Sequence, residues 1–337
     1  MLQGTLTAQS PRRDRVVTPA PHTRTYRSGV LLDEIAHNKR RTVIVIAVFA
    51  AVWLGIGALG GLIFGGSSGS RGSAIAGGIA IFGFLALCGI AFSLLSGTRM
   101  VLAVAGAHPA DRQQYAQLHN IVEEIALGAG MPKPAVYVID DPSPNAFATG
   151  TSPEKAAITA TTGLLAMMNR EELEGVISHE MSHIKNYDVR LILIVTTLIG
   201  MAALLASLAW RSLYVMRPRG KNSGGILVVV VVVGVLFSIV AFLVGPLIQL
   251  ALSRSREELA DVSGVELTRN PNGLIHALEK LQQNDKPFAK FNHATAAMCI
   301  DDPLQHHEGW MHRMFDTHPP IAERIAVLQK IASGQTA

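Results

Sequence analysis

The polar and apolar positions of this chain divide it into four long apolar runs and the mixed segments between them. The runs cover residues 42–64, about 74–95, 191–210 and 226–250, and none contains Asp, Glu, Lys or Arg. At about 1.5 Å rise per residue, some twenty helical residues cross a hydrocarbon core of roughly 30 Å. The pattern predicts up to four transmembrane helices, against the alternative of helices buried in a soluble core. Gly55, Gly57, Gly60 and Gly61 in the first run suit close helix packing better than ligand binding.

The mixed segments carry shorter periodicities. Residues 111–128 read as an amphipathic helix with Leu118, Ile121, Val122, Ile125 and Ala126 on one side. Pro132 and Pro134 end that pattern, 135–139 reads as a strand, and a loop holding Pro142 and Pro144 follows. Residues 145–150 and 156–161 read as two further strands, the first at an edge. Asn169 and Glu172 have the spacing of a capping box, and Glu171, Glu172 and Glu174 suit a helix N-terminus. Leu173, Val176, Ile177 and Ile184 give that helix an inward stripe, and a further helix is predicted from Ser253 toward Thr268.

Composition agrees with a membrane protein: 49% of residues are hydrophobic, 16% are charged, and mean hydropathy is +0.32. Residues 1–41 form a basic arm with Arg12, Arg13, Arg15, Arg24, Arg27, Lys39, Arg40 and Arg41. Its Pro- and Thr-rich distal part predicts disorder. An organellar transit peptide is the alternative reading; a cleaved secretory signal is not, because the first apolar run is too long and too far from Met1. Cys88 and Cys299 lack metal-site spacing and read as reduced structural residues. No nucleic-acid partner is expected.

Within the capped helix stands His179-Glu180-Met181-Ser182-His183. Histidines at i and i+4 share a face and can share one Zn²⁺, while the intervening glutamate can reach a metal-bound water. So short a motif also arises by chance, leaving an ordinary buried histidine pair as the alternative, and its meaning rests on a third ligand. Glu257 and Asp261, four apart on the helix after the fourth run, can ligate and orient a ligand histidine, respectively. The competing reading is a solvated helix with Arg256 and Glu258 in surface pairs. A sheet followed by a metal-binding helix is the order of the zincin type, in which an edge strand holds an extended peptide; this is an analogy between folds.

Several spaced motifs then coincide. Ser-Arg-Ser-Arg-Glu257-Glu-Leu-Ala-Asp261 after the HExxH, Pro142-Ser-Pro-Asn-Ala-Phe-Ala-Thr-Gly150 before it, and Thr317-His-Pro-Pro320 with Glu323-Arg-Ile325 near the end resemble the HtpX-like membrane-embedded zinc endopeptidases, which also include the CAAX prenyl proteases. The resemblance extends from about Val101 to Ile331. It implies one Zn²⁺ per subunit on His179, His183 and Glu257, with Glu180 as catalytic base. Asp188 and Asp261 match aspartates of the family pattern, for which a supporting role behind the ligands is expected here, and Asn145, Ala146, Phe147, Ala148, Thr149 and Gly150 match a substrate-facing edge. His318 and Arg324 match C-terminal positions suited to helping an oxyanion. The basic N-terminal extension and Met181-Ser182 depart from typical members.

The expected fold is an α+β zincin-like metallopeptidase domain, mostly helical, joined to as many as four transmembrane helices. Its expected segments are the arm 1–41, a first transmembrane hairpin 42–96, a catalytic lobe 97–190, a second apolar hairpin 191–250, and the rest of the lobe 251–337. A single metal on His179, His183 and Glu257 requires the third and fourth runs both to span or neither to. The positive-inside rule puts the arm and the catalytic lobe in the cytoplasm, at the cell inner membrane. A spanning second hairpin would place Arg211, Arg217, Arg219 and Lys221 outside, against that rule. The expected activity is zinc-dependent hydrolysis of misfolded or damaged membrane proteins, a quality-control and stress-response role implied by the resemblance. CAAX-type processing and a non-catalytic zinc-binding scaffold are the alternatives.

Overall fold

The computed structural model describes residues 22–65, 70–215, 227–228, 230–239, 254–283 and 320–333. Helix α1 (His22–Phe64) and helix α2 (Arg71–Val104) form a hairpin, followed by the short strand β1 (His108–Pro109) and helix α3 (Ala116–Ala129). Strands β2 (Ala135–Ile139), β3 (Ala146–Thr149) and β4 (Ala157–Thr161) come next, then helices α4 (Thr162–Met167), α5 (Arg170–Lys185) and α6 (Asp188–Val215). Helix α7 is Val230–Ile239. Helices α8 (Arg254–Thr268), α9 (Pro271–Gln282) and α10 (Ile321–Ala332) complete the described chain.

The sheet has the order β1-β2-β4-β3, with β2 and β4 parallel and both outer strands antiparallel to their neighbours. Parallel pairing of Val136 with Ile158 and Val138 with Ala160 gives one apolar face. Against it lie Leu118, Ile121 and Val122 of α3 and Leu173, Val176, Ile177 and Met181 of α5. Leu274 and Leu278 of α9 and Leu328 of α10 close the same core, so the apolar stripe of α5 is covered along its length. Its N-terminus carries the capping box read from the sequence: Asn169 accepts from the Glu172 amide, and Glu172 accepts from the Asn169 amide at 2.8 Å. Lys280 donates to the same Glu172 carboxylate at 2.6 Å, tying α9 to the start of α5.

Among the described residues, three helices are long and apolar enough to cross a membrane: 29 residues over Ile35–Ile63, 34 over Arg71–Val104 and 26 over Asp188–Leu213. Phe84, Leu87 and Leu95 on α2 and Leu204 and Leu208 on α6 are exposed, forming an apolar belt that suits lipid and not water. Of the fourth run, α7 is described, and 240–250 lies outside the described residues. Phe237 of α7 packs edge-on against Trp53 of α1 with ring centroids 5.1 Å apart, and Trp210 of α6 donates to Ser238 of α7 at 3.0 Å.

Two expectations change. Residues 22–41, read as part of a disordered arm, are helical and continue into the first span. Charge keeps such residues out of the bilayer, but it does not stop a helix nucleated by the adjoining apolar run from propagating. Residues 1–21 and Cys299 lie outside the described residues. Of the four glycines in the first run, Gly57 and Gly61 do serve close packing: a Cβ on Gly57 would stand 2.4 Å from the Gly78 carbonyl oxygen, and one on Gly61 would stand 2.4 Å from that of Ala74. Gly55 and Gly60 face open space.

Gly57→Val is therefore expected to force α1 and α2 apart and destabilise the hairpin by about 1–3 kcal/mol, the range for overpacking a close contact. Gly60→Val should leave the thermal midpoint in detergent nearly unchanged. Equal effects of the two substitutions would contradict the packing.

Candidate metal centre

Helix α5 places His179 and His183 one turn apart on one face, their rings at 89° with centroids 4.7 Å apart. Helix α8 approaches that face and directs Glu257, in its first turn, at both rings. The Glu257 carboxylate lies 3.5 Å from His179 Nε2 through Oε2 and 3.5 Å from His183 Nε2 through Oε1. Close approach of α8 depends on Gly264, where a Cβ would stand 3.0 Å from the His179 backbone nitrogen. One candidate ligand atom from each of the three residues falls within 4.8 Å of the others, and all three residues are buried.

Each imidazole is held from behind by a carboxylate. His179 Nδ1 lies 2.8 Å from Asp261 Oδ1, and Arg324 donates to Asp261 through Nε at 3.0 Å and Nη2 at 2.7 Å. His183 Nδ1 lies 3.1 Å from Asp188 Oδ2. A carboxylate accepts only, so it fixes the ring proton on Nδ1 and turns the Nε2 lone pair toward Glu257. The two Nε2 atoms are then 3.2 Å apart. Two lone pairs facing each other beside a carboxylate repel unless a cation or a proton lies between them. Two imidazoles and a carboxylate converging in this way fit a divalent metal ion.

The electrostatics express the same competition. Burial and the nearby Arg324 disfavour charge on His179, but Asp261 and Glu257 outweigh them and raise its pKa to about 9. For His183, burial again opposes charge, while Glu257 and Asp188 raise the pKa overall. Burial alone would raise Asp261; Arg324 and His179 bring it down to about 2. Arg324 is raised, since Asp261, Glu257 and Glu180 together outweigh its desolvation. In the metal-free protein a proton therefore takes the position that suits a metal.

Glu180 is buried on α5, near enough for its charge to bear on Arg324. Arg324, expected to face an oxyanion, is buried with two donors committed to Asp261; an unscreened guanidinium in the core finds its counter-charge there. His318 lies outside the described residues. The edge strand is present, with β3 outermost in the sheet, and Asn145, Ala146, Phe147, Ala148 and Thr149 are all buried in this state. Arg256 is buried with Nη1 3.6 Å from Asp188, and so is not the surface residue of the alternative reading. Sequence reading passed over Asn38, which is 0% exposed and bonds Asp188. The available signal was a lone amide four residues before Thr42, sharing a helix face with it at the mouth of the first span.

A buried two-histidine, one-carboxylate cluster joined to membrane-length helices fits a membrane-anchored metalloenzyme. Residues 112–332 match Peptidase family M48, and the chain belongs to that family. It is 41% identical over 312 residues to a protein named "Protease HtpX homolog" from Streptococcus gordonii, covering 90% of this chain and 100% of that one. A protein of the same name from Streptococcus mutans is 43% identical over 312 residues, again covering 90% of this chain and 100% of the relative. The crystal structure of S. mikatae Ste24p superposes with a TM-score of 0.46 at 16% identity, covering 88% of this chain and 66% of that one. The protein is a membrane-bound metalloprotease.

Because His179 rises from 6.5 unfolded to about 9 folded, its charged pairing stabilises the metal-free protein below pH 6.5 and is lost as pH rises toward 9. Chelator-treated protein is expected to show a thermal midpoint that falls across that window. The His179→Gln variant should show a flatter profile, and a wild-type midpoint that rises over this range would contradict the arrangement.

Proposed function

We propose that the protein is a zinc endopeptidase in which His179, His183 and Glu257 hold the metal and Glu180 is the general base. The convergence of three buried ligand groups from α5 and α8 carries this reading. Bound zinc supplies a Lewis acid that brings the pKa of water to about 7. Glu180 accepts a proton from the attacking water and delivers it to the departing amine, so one water is consumed and no covalent enzyme intermediate forms. Asp188 and Asp261 keep the Nδ1 protons of the two histidines in place, and Arg324 holds Asp261 ionised. The outer edge of β3 would pair with an extended substrate backbone once it is uncovered.

The substrate class follows from location. A proteolytic site joined directly to α6 stands beside the bilayer, where loops and termini of misfolded membrane proteins come within reach. The relatives' HtpX name fits that quality-control role. The Arg-rich stretch before the first span supports a site on the cytoplasmic face.

Incubating the purified protein with an unfolded membrane protein, with and without a chelator, tests the activity. Cleavage is expected to vanish with the chelator and return with Zn²⁺, and Glu180→Gln is expected to retain metal while losing about 10²–10⁴-fold in rate. Metal binding with no hydrolysis of varied substrates would instead make the protein a scaffold. For topology, Asp140, whose side chain is 71% exposed, is replaced by Cys in a chain lacking Cys88 and Cys299. An impermeant thiol reagent is expected to label it only after the cells are opened, and labelling of intact cells would refute the cytoplasmic placement.

A further inference from the structure

The two ligand histidines differ in what stands behind their carboxylates. Asp261 is held by Arg324, a residue of the same lobe, through two hydrogen bonds. Asp188 is held partly from the membrane hairpin. Asn38, near the start of the membrane-length part of α1, donates through Nδ2 to Asp188 Oδ1 at 2.6 Å and to the Asn186 carbonyl at 3.0 Å. Both partners are acceptors, so only the amide NH₂ satisfies them, and the orientation of Asn38 is determined. The other oxygen of Asp188 receives His183 Nδ1 at 3.1 Å.

A second contact fastens the same corner. Tyr187 links α5 to α6 with φ of 61°, a left-handed conformation that a side-chain-bearing residue adopts only where its surroundings impose it. The ammonium of Lys39 sits 4.4 Å from the centroid of its ring. Asn38 and Lys39, adjacent on α1, therefore grip three consecutive residues, Asn186, Tyr187 and Asp188.

We propose that Asn38 is a positioning residue for the metal site, acting through Asp188 on His183, so that the first membrane helix completes the centre. A carboxylate that can rotate no longer fixes the Nδ1 proton, and the Nε2 lone pair loses its aim. Arg256 supplies opposite charge to Asp188 from 3.6 Å. Asn38 supplies direction, and makes the ligand geometry depend on where α1 sits. The inference rests on His183 being a ligand.

The test is titration of the full-length, detergent-solubilised protein with Zn²⁺, and with Co²⁺ followed by its visible absorption. Asn38→Leu is expected to weaken metal binding about 10-fold or more, within the 10–100-fold span for residues behind a ligand, and to shift the Co²⁺ bands. Thr42→Val, which removes a hydroxyl bonded to the Asn38 carbonyl within α1, should change neither. If Asn38 works through Asp188, adding Asn38→Leu to Asp188→Ala costs little more than Asp188→Ala alone, whereas a general packing defect adds in full. Should Asn38→Leu not accumulate as folded protein, Asn38→Asp keeps the shape, reverses the interaction with Asp188, and is expected to weaken binding further. Wild-type affinity and an unchanged Co²⁺ spectrum in a folded Asn38 variant, or additive effects in the double variant, would overturn the role of Asn38 while leaving the metal site standing. A wild-type protein that takes up neither metal would overturn both.

Discussion

An imidazole wholly removed from water has to hydrogen-bond through one nitrogen before the other can be offered to a metal. His179 and His183 meet this requirement with separate carboxylates, Asp261 and Asp188, each of which brings its own need for a counter-charge into the core. Arg324 of α10 and Arg256 of α8 supply that charge. The pentapeptide from His179 to His183 thus recruits residues from both sides of the third and fourth apolar runs. Packing follows the same demand: Gly264 lets α8 touch the backbone of α5, and Gly175 does so for α9, where a Cβ would stand 2.5 Å from the Leu274 nitrogen.

The membrane part is bound into this arrangement and is more than an anchor. Helix α6 begins at Asp188, two residues after the C-terminal cap of α5, so the carboxylate behind His183 also starts a membrane-length helix. Its first turns, Leu191 to Val195, are buried against the rest of the protein, and the hydroxyls of Thr197 and Ser93 share a hydrogen bond between α6 and α2. A polar pair of that kind in an apolar setting fixes the rotation of one helix against the other. Gly57 and Gly78 then bring α1 onto α2, which sets the height of Asn38 beside Asp188.

Legibility followed sequence distance. The capping box, the stripe of α5, the strands and the two-histidine face were readable because each is set by residues within a turn or two of one another. Glu257 was readable because its neighbours matched a family pattern; its geometry alone left a charged surface helix open. Asn38 was not readable, since its partner lies 148 to 150 positions away and an asparagine beside a lysine and arginines looks like part of a solvated arm. The competing surface reading of Arg256 stayed open for the same reason: burial of a charge depends on a counter-charge delivered by another element. The depth of β3 likewise comes from what packs over it, whereas its own alternation indicates only that it is a strand.

The second hairpin presents a conflict between charge and geometry that the packing weighs. Trp210 lies about 33 Å along α6 from Asp188, and Trp53 about 22 Å along α1 from Asn38, at a rise of about 1.5 Å per residue. Helix α7 touches both, through Ser238 and Phe237. A hairpin that turned back at shallow depth would not bring α7 to these two tryptophans. The contacts of α7 thus reach far along both α1 and α6, which argues against a shallow turn before Val230. Arg and Lys residues between the third and fourth runs weigh against a crossing by the positive-inside preference, but orientation is usually dominated by the first span. Exposed Leu204 and Leu208 on α6 and Val235 and Ile239 on α7 give this part of the hairpin an apolar surface suited to lipid, which weighs against holding it in water.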